Sequence, residues 1–316
     1  MNIVITDAQT VTNGDLDLSV FEKYGNVTVY PLTSYEETKA RIADADAVLL
    51  NKTVLDKETL SLATHLKYVG IFATGFNMID LDYCREHGIT VCNAGSYSTN
   101  AVAQHTFALI LNHYNQIANY HAAVQDGVWE RSQLTTLYDF PTDELDGKVI
   151  GLIGYGHIGK KVAEIARAFN MKVLVYTRTP KPDGIAEFVS FEELLANSDI
   201  ISLHLPLNDS TRRMMDAEAF MKCKRGALLV NTARGGLVDE PALKAAVESG
   251  QLSGAALDAI TVEPMRNCIL KGVENIVITP HAAWAPMSTR LRLRDITTAC
   301  LKAWMEGNPI NVVSKL

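Results

Sequence analysis

Cysteine is scarce and its spacing offers no pairs. Cys84, Cys92, Cys223, Cys268 and Cys300 are an odd set without a CxxC motif, which predicts neither a disulfide framework nor a zinc ribbon and fits a reducing cytoplasm. Long hydrophobic runs are missing too: no stretch approaches the ~20 uninterrupted apolar residues of a membrane span. The opening Met1-Asn2-Ile3-Val4-Ile5-Thr6-Asp7 has neither the basic n-region nor the apolar length of a signal peptide. There is no basic stripe, because 29 Lys+Arg are scattered against 36 Asp+Glu for a net charge of −7. A phosphate-tracking surface is therefore not expected, and neither is a nucleic-acid partner. None of the 8 histidines sits in HExxH, so zincin chemistry is absent and no metal is expected. These absences leave a soluble cytoplasmic protein with no membrane partner.

What is present is apolar and alternating. The chain has 316 residues, 47% hydrophobic and 21% charged, enough for two domains at about 150 residues each. Short β-branched runs recur between helix-like segments at Ile3–Thr6, Val27–Tyr30, Ala47–Leu50, Tyr68–Ala73 and Ile89–Cys92. A second series starts at Lys148 and continues through Val173–Tyr176, Ile200–Leu205, Ala227–Asn231, Ala255–Ala259 and Ile276–Thr279. Strands alternating with helices predict an α/β chain of two doubly wound parallel-sheet, Rossmann-like domains with a cleft between them. Ser98 to about Tyr120 reads as one buried junction helix, and Ser288–Glu306 as a last helix returning to the first domain. The expected division is a discontinuous substrate domain, 1–98 plus 286–316, and a dinucleotide-binding domain, 99–285.

The run Val149–Ile153 reads as a buried strand and passes straight into Gly154-Tyr155-Gly156-His157-Ile158-Gly159. Behind it, Ile158, Val162, Ile165, Ala166 and Phe169 fall near helical spacing. A strand, GxGxxG and an amphipathic helix form the setting of a dinucleotide site: the glycines let the backbone approach a pyrophosphate seated on the helix amino terminus. Gly154–Lys160 also spells GxxxxGK, but a P-loop needs Ser or Thr next and position 161 is Lys. After the following strand stand Thr177 and Arg178, with no carboxylate for ribose hydroxyls. A hydroxyl beside a guanidinium suits a 2′-phosphate, which predicts NADP(H), or dual use of NADP and NAD with NADP(H) preferred. A solvent-facing arginine is the competing reading.

Three polar residues end strands of the second series: Arg234 in Asn-Thr-Ala-Arg-Gly-Gly, Glu263 in Thr-Val-Glu-Pro and His281 in Thr-Pro-His-Ala-Ala-Trp. Reduction of a 2-keto acid needs an anchor for the carboxylate and a proton donor for the nascent alkoxide. Arg and His supply both, and a carboxylate beside the imidazole orients it and favours its protonated form.

Leu145–Gly159, Leu228–Glu240, Val262-Glu263-Pro264 and Thr279-Pro280-His281, in that order along nearly the whole chain, resemble the D-isomer-specific 2-hydroxyacid dehydrogenase family. Ala73-Thr74-Gly75 and His281-Ala282-Ala283-Trp284-Ala285 resemble its glycerate dehydrogenase (hydroxypyruvate reductase) branch. The resemblance implies Arg234 as substrate anchor, Glu263 as partner of the histidine and His281 as acid/base. It implies cofactor contacts from the glycine turn with His157 and Ile158, from Thr177 and Arg178, from His204, Leu205 and Pro206, and from Thr232, Ala233 and Asp258 near the nicotinamide. Backbone amides at Thr74 and Gly75 would face the substrate carboxylate, and Leu50 and Asn51 would line the cleft. Two departures are Thr177, where NAD-using members carry an acid, and Gln104, where many carry Glu. Glu263 disfavours formate oxidation, which goes with Gln there.

Trp284 either walls the substrate pocket or packs between domains. His105, His113 and His121 recur every eight residues on the junction helix. Two turns separate them by about 12 Å, too far for shared ligation, so they read as structural. Trp129, Leu134, Leu137, Tyr138 and Phe140 offer more apolar surface than a monomer exposes comfortably, which predicts a homodimer through the cofactor domains. The expected activity is reduction of a small 2-keto acid, hydroxypyruvate or glyoxylate, to the D-hydroxy acid. The alternative is a dinucleotide-sensing binding protein or corepressor on the same fold.

Overall fold

Aliphatic runs buried on both faces become the inner strands of two parallel sheets. A computed structural model describes residues 1–315. The chain divides into two compact units: Met1–Ser98 with the segment from Trp284 onward, and Thr99–Ala283.

The first unit contains β1 (Asn2–Ile5), β2 (Asn26–Val29), α1 (Tyr35–Ile42), β3 (Ala47–Leu50), α2 (Lys57–Leu60), β4 (Tyr68–Ile71), α3 (Leu81–Glu86) and β5 (Thr90–Cys92). Its sheet order is β2-β1-β3-β4-β5, with every pairing parallel. Successive residues feed opposite cores: Val4, Val48, Leu50, Val69 and Ile71 on one face, Ile3, Ile5, Ala47, Leu49 and Tyr68 on the other. Burying each such aliphatic side chain stabilises by about 1.5–3 kcal/mol. Polar caps start the helices, Ser34 with Glu37 as a capping box on α1, and Asp56 and Asp80 on α2 and α3. The C-terminal helix, Met287–Met305, belongs to this unit, burying Leu293, Cys300 and Leu301 and setting Trp304 against Tyr68 at 4.9 Å between ring centres. The return to this unit comes at Trp284, slightly ahead of the 286 boundary expected from sequence, because Trp284 packs edge-on against Tyr97.

The second unit contains α4 (Thr99–Asn115), α5 (Ile117–Gln125), β6 (Val149–Ile153), α6 (His157–Ala168), β7 (Lys172–Tyr176), β8 (Glu187–Phe188), α7 (Phe191–Asn197), β9 (Ile200–Leu203), α8 (Ala217–Lys222), β10 (Ala227–Asn231), α9 (Glu240–Glu248), β11 (Leu252–Leu257) and β12 (Ile276–Ile278). The sheet order is β12-β11-β10-β9-β6-β7-β8, again wholly parallel. The strand order reverses between β6 and β9, and that crevice, outside the carboxyl ends of the strands, is where doubly wound sheets bind ligands. The expected single junction helix is two: Gln116 adopts a left-handed conformation, φ 51°, and breaks it. The first piece buries Val102, Ala103, Phe107, Leu109 and Ile110, whereas the second leaves Ile117 and Val124 exposed. The short edge strand β8 is an addition to the strands read from sequence. Among the described residues no helix is long and apolar enough to cross a membrane.

Candidate active site

The glycine turn sits at the reversal point of the second sheet. Gly154 has φ +99°, and a β-carbon there would lie 2.3 Å from the carbonyl oxygen of His204, so the turns after β6 and β9 meet backbone to backbone. A β-carbon on Gly159 would lie 2.5 Å from the carbonyl oxygen of Gly154, which locks α6 onto its strand. Gly156 differs, since a β-carbon there would meet nothing within 4 Å. It is the N-cap of α6, and no side chain caps it. The first and third glycines thus serve packing, while the second leaves open space before helix N–H groups that have no partner among the described residues. The cradle fits a dinucleotide pyrophosphate.

Around this turn, His157 and Ile158 begin α6. Tyr155 donates to Asp183 Oδ2 at 2.9 Å and meets Phe188 edge-on, tying the loop after β7 to the turn. Thr177 is half-buried and Arg178 exposed in that loop. The Arg178 guanidinium makes no hydrogen bond or ion pair among the described residues. His204 follows β9, its Nε2 2.9 Å from Ser202 Oγ, and burial lowers its pKa to about 4, leaving a neutral ring. Leu205 is half-buried and Pro206 exposed just beyond.

The ends of β10, β11 and β12 carry the polar set. After β10, buried Asn231 accepts from the Ala233 amide at 3.0 Å and donates to the Arg234 carbonyl at 2.9 Å, clamping the turn that presents Arg234. The Arg234 guanidinium donates to the Ala233 carbonyl at 2.7 Å. Thr232 Oγ1 lies 3.1 Å from Thr106 Oγ1 on α4. After β11, Glu263 Oε1 accepts from the Ile260 amide at 3.1 Å, and Glu263 Oε2 stands 2.7 Å from His281 Nδ1. His281 has φ +54°, a left-handed conformation that costs an L-residue about 1 kcal/mol.

Asp258, 2% exposed, holds that conformation. Its Oδ1 accepts from Thr279 Oγ1 at 2.6 Å and the Ala282 amide at 2.8 Å, and its Oδ2 from the Ala283 amide at 2.9 Å. Burial pushes the Asp258 pKa up, but the hydrogen bonds from His105, Thr279, Ala283 and Ala282 outweigh it, and the carboxyl stays below its ordinary range.

The other expected substrate residues lie in the first unit. Asn51 donates to the Thr10 carbonyl at 3.3 Å and to Thr10 Oγ1 at 3.1 Å. Its loop is held by Asp7, whose carboxylate accepts from the amides of Asn51 at 2.9 Å, Lys52 at 2.6 Å and Thr53 at 2.8 Å. Thr74 Oγ1 donates to the Gly95 carbonyl. Among the described residues the backbone N–H groups of Thr74 and Gly75 donate to nothing. Trp284 packs on Tyr97, ring centres 6.4 Å apart.

Residues 107–283 match the family model of the D-isomer specific 2-hydroxyacid dehydrogenase NAD-binding domain. The chain belongs to this family. It is 38% identical to a hydroxypyruvate reductase from Blautia hydrogenotrophica, over the whole of both chains. It is 37% identical to a glycerate dehydrogenase from Methylorubrum extorquens, with 88% of each chain covered. A solved acyclic imino acid reductase in complex with NADPH and D-Arg superposes with TM-score 0.88 at 32% identity, covering 99% of this chain and 100% of the other. The protein is thus an oxidoreductase with a nicotinamide-dinucleotide domain.

Sequence reasoning passed over Asn231 and Asp7 and read His105 as structural in this family member. Asn231 precedes the singled-out Arg234 in Asn-Thr-Ala-Arg-Gly-Gly and ends a buried strand, which was a usable signal. Asp7 stands two residues beyond the buried strand β1. The spacing of His105 gave no hint of its contact, because its partner Thr279 lies 174 residues away.

Proposed function

We propose that this dehydrogenase reduces hydroxypyruvate, and glyoxylate as a smaller analogue, to the D-hydroxy acid with NADPH preferred over NADH. The observation that carries the reading is the 2.7 Å contact between His281 Nδ1 and Glu263 Oε2 on the sheet edge that also bears the glycine turn. With Nδ1 engaged by the carboxylate, Nε2 is the ring nitrogen that gives a proton to the nascent alkoxide. Glu263 orients the ring and balances its charge when protonated. Arg234 anchors the substrate carboxylate by charge-assisted hydrogen bonds. When bound, the reduced nicotinamide supplies the hydride. Gly156, His157 and Ile158 receive the pyrophosphate on a turn shaped by Gly154, Tyr155 and Gly159, and Thr232, Ala233 and Asp258 face the nicotinamide end. Asn51, Thr74, Gly75 and Trp284 are proposed substrate contacts.

The substrate choice rests on the names of the two relatives, a hydroxypyruvate reductase and a glycerate dehydrogenase. The cofactor choice rests on Arg178, exposed and unpaired among the described residues, and on the NADPH of the imino acid reductase. We also propose a cytoplasmic homodimer through the second unit, whose Trp129, Leu134 and Tyr138 are 49%, 61% and 81% exposed. Light scattering tests it, and a monomeric mass removes it. For the activity, loss of reduced-nicotinamide absorbance is followed with hydroxypyruvate, glyoxylate and pyruvate, each with NADPH and with NADH. Turnover of hydroxypyruvate supports the assignment. Binding of NADPH without turnover of any keto acid overturns it in favour of a dinucleotide sensor.

A further inference from the structure

Beyond the residues assigned to the reaction, one polar chain reaches the His281 loop from α4. His105 Nε2 lies 3.0 Å from Thr279 Oγ1 and 3.4 Å from Asp258 Oδ1. Thr279 has one hydroxyl proton and directs it to Asp258 at 2.6 Å. Toward His105 its oxygen can then only accept, which assigns the imidazole proton to Nε2. Asp258 in turn accepts from the amides of Ala282 and Ala283, the two residues that follow His281.

We infer that His105 is a positioning residue for His281, acting through Thr279 and Asp258. This rests on the proposed reading of His281 as proton donor. The imidazole of His281 points to Glu263 only while its backbone keeps the left-handed conformation, φ +54°. The next two amides are fixed by Asp258, and Asp258 is fixed from the side by Thr279 and His105. A buried carboxylate that loses a donor is left under-satisfied and relaxes toward other partners. The loop it holds moves with it. The donor comes from a 17-residue helix whose apolar face is buried, so the reference point is rigid. His105 and Thr279 are not among the proposed substrate or cofactor contacts, so a defect at either reports on positioning.

The test compares the full chain with His105→Phe, which keeps a ring without the donor, His105→Gln, which keeps a donor, and Thr279→Val, which removes the hydroxyl at nearly constant volume. The readouts are kcat and KM for hydroxypyruvate with NADPH, alongside Tm. Misplacement by a fraction of an ångström predicts that His105→Phe and Thr279→Val each lower kcat by about tenfold or more, with KM within about threefold. His105→Gln should stay within about threefold of the parent, and the double variant His105→Phe/Thr279→Val should be no slower than the slower single one. A kcat within about twofold of the parent in His105→Phe overturns the inference, whatever Thr279→Val does. So does a His105→Gln enzyme as slow as His105→Phe, which makes position 105 a packing site. If His105→Phe does not fold, Thr279→Val carries the test, and an unchanged kcat overturns it. His281→Ala runs in parallel. If that variant is as active as the parent, the assigned acid itself is wrong; if it is inactive beside a fully active His105→Phe, only the positioning role is lost.

Discussion

The carbonyl oxygen of His204 stands 2.3 Å from where a β-carbon on Gly154 would be, so two connections of the second sheet touch through backbone alone. Gly154→Ala should therefore cost stability, on the order of 2 kcal/mol or more, from the clash and from the positive φ. Gly156→Ala meets open space and should cost less than about 1 kcal/mol while raising the KM for NADPH by about tenfold or more. Urea unfolding beside cofactor titration distinguishes the two. Equal losses of stability would contradict the division of labour within the turn.

His281→Ala should lower kcat by about 10²–10⁴, the usual contribution of a general acid, with NADPH affinity unchanged when read by fluorescence titration. Arg234→Ala should instead raise the KM for the keto acid first. A His281→Ala enzyme that loses NADPH binding would remove the proton-donor assignment.

Arg178→Ala should raise the KM for NADPH by about tenfold, the loss expected for a guanidinium–phosphate contact, and leave the KM for NADH nearly unchanged. Parallel changes with both cofactors would show Arg178 serving the shared part of the dinucleotide.

Burial lowers His204 from an ordinary 6.5 to about 4. The unfolded chain binds this proton below about pH 6.5, whereas the folded chain resists it until about pH 4. The associated stability is full above pH 6.5, falls as pH drops from 6.5 to 4, and is flat below. The total is about 3 kcal/mol. Denaturant unfolding at pH 4.5 and 7.5 should show the parent losing more stability on acidification than His204→Gln. Equal losses would place the buried proton elsewhere.

Much of this fold is legible because a parallel sheet covered on both faces demands continuous aliphatic runs, and Ile200–Leu203 and Ala227–Asn231 are buried at every position. The glycine turn is legible for a related reason: close backbone approach excludes any other residue. β8 was not, since two residues display no periodicity. Nor was the break at Gln116, because glutamine carries no preference for a left-handed turn. The pairing of His281 with Glu263 followed from chemistry, but the buttress behind it did not. Eight-residue spacing relates His105 to His113 on α4 and to His121 on α5, whereas His105 acquires its role from a threonine far along the chain.

The tether at Asp7 divides the first unit's capacity to meet an anion. The amides of Asn51, Lys52 and Thr53 are directed at one internal carboxylate and so are already committed before any ligand's negative charge arrives. The amides of Thr74 and Gly75 are uncommitted among the described residues. On the proposed substrate contacts, affinity for a carboxylate and tolerance of what that carboxylate is attached to would reside in separate segments of one unit. Under that proposal, engineering at 51–53 should reshape the accepted molecule while the uncommitted amides at 74–75 stay available to its acid group.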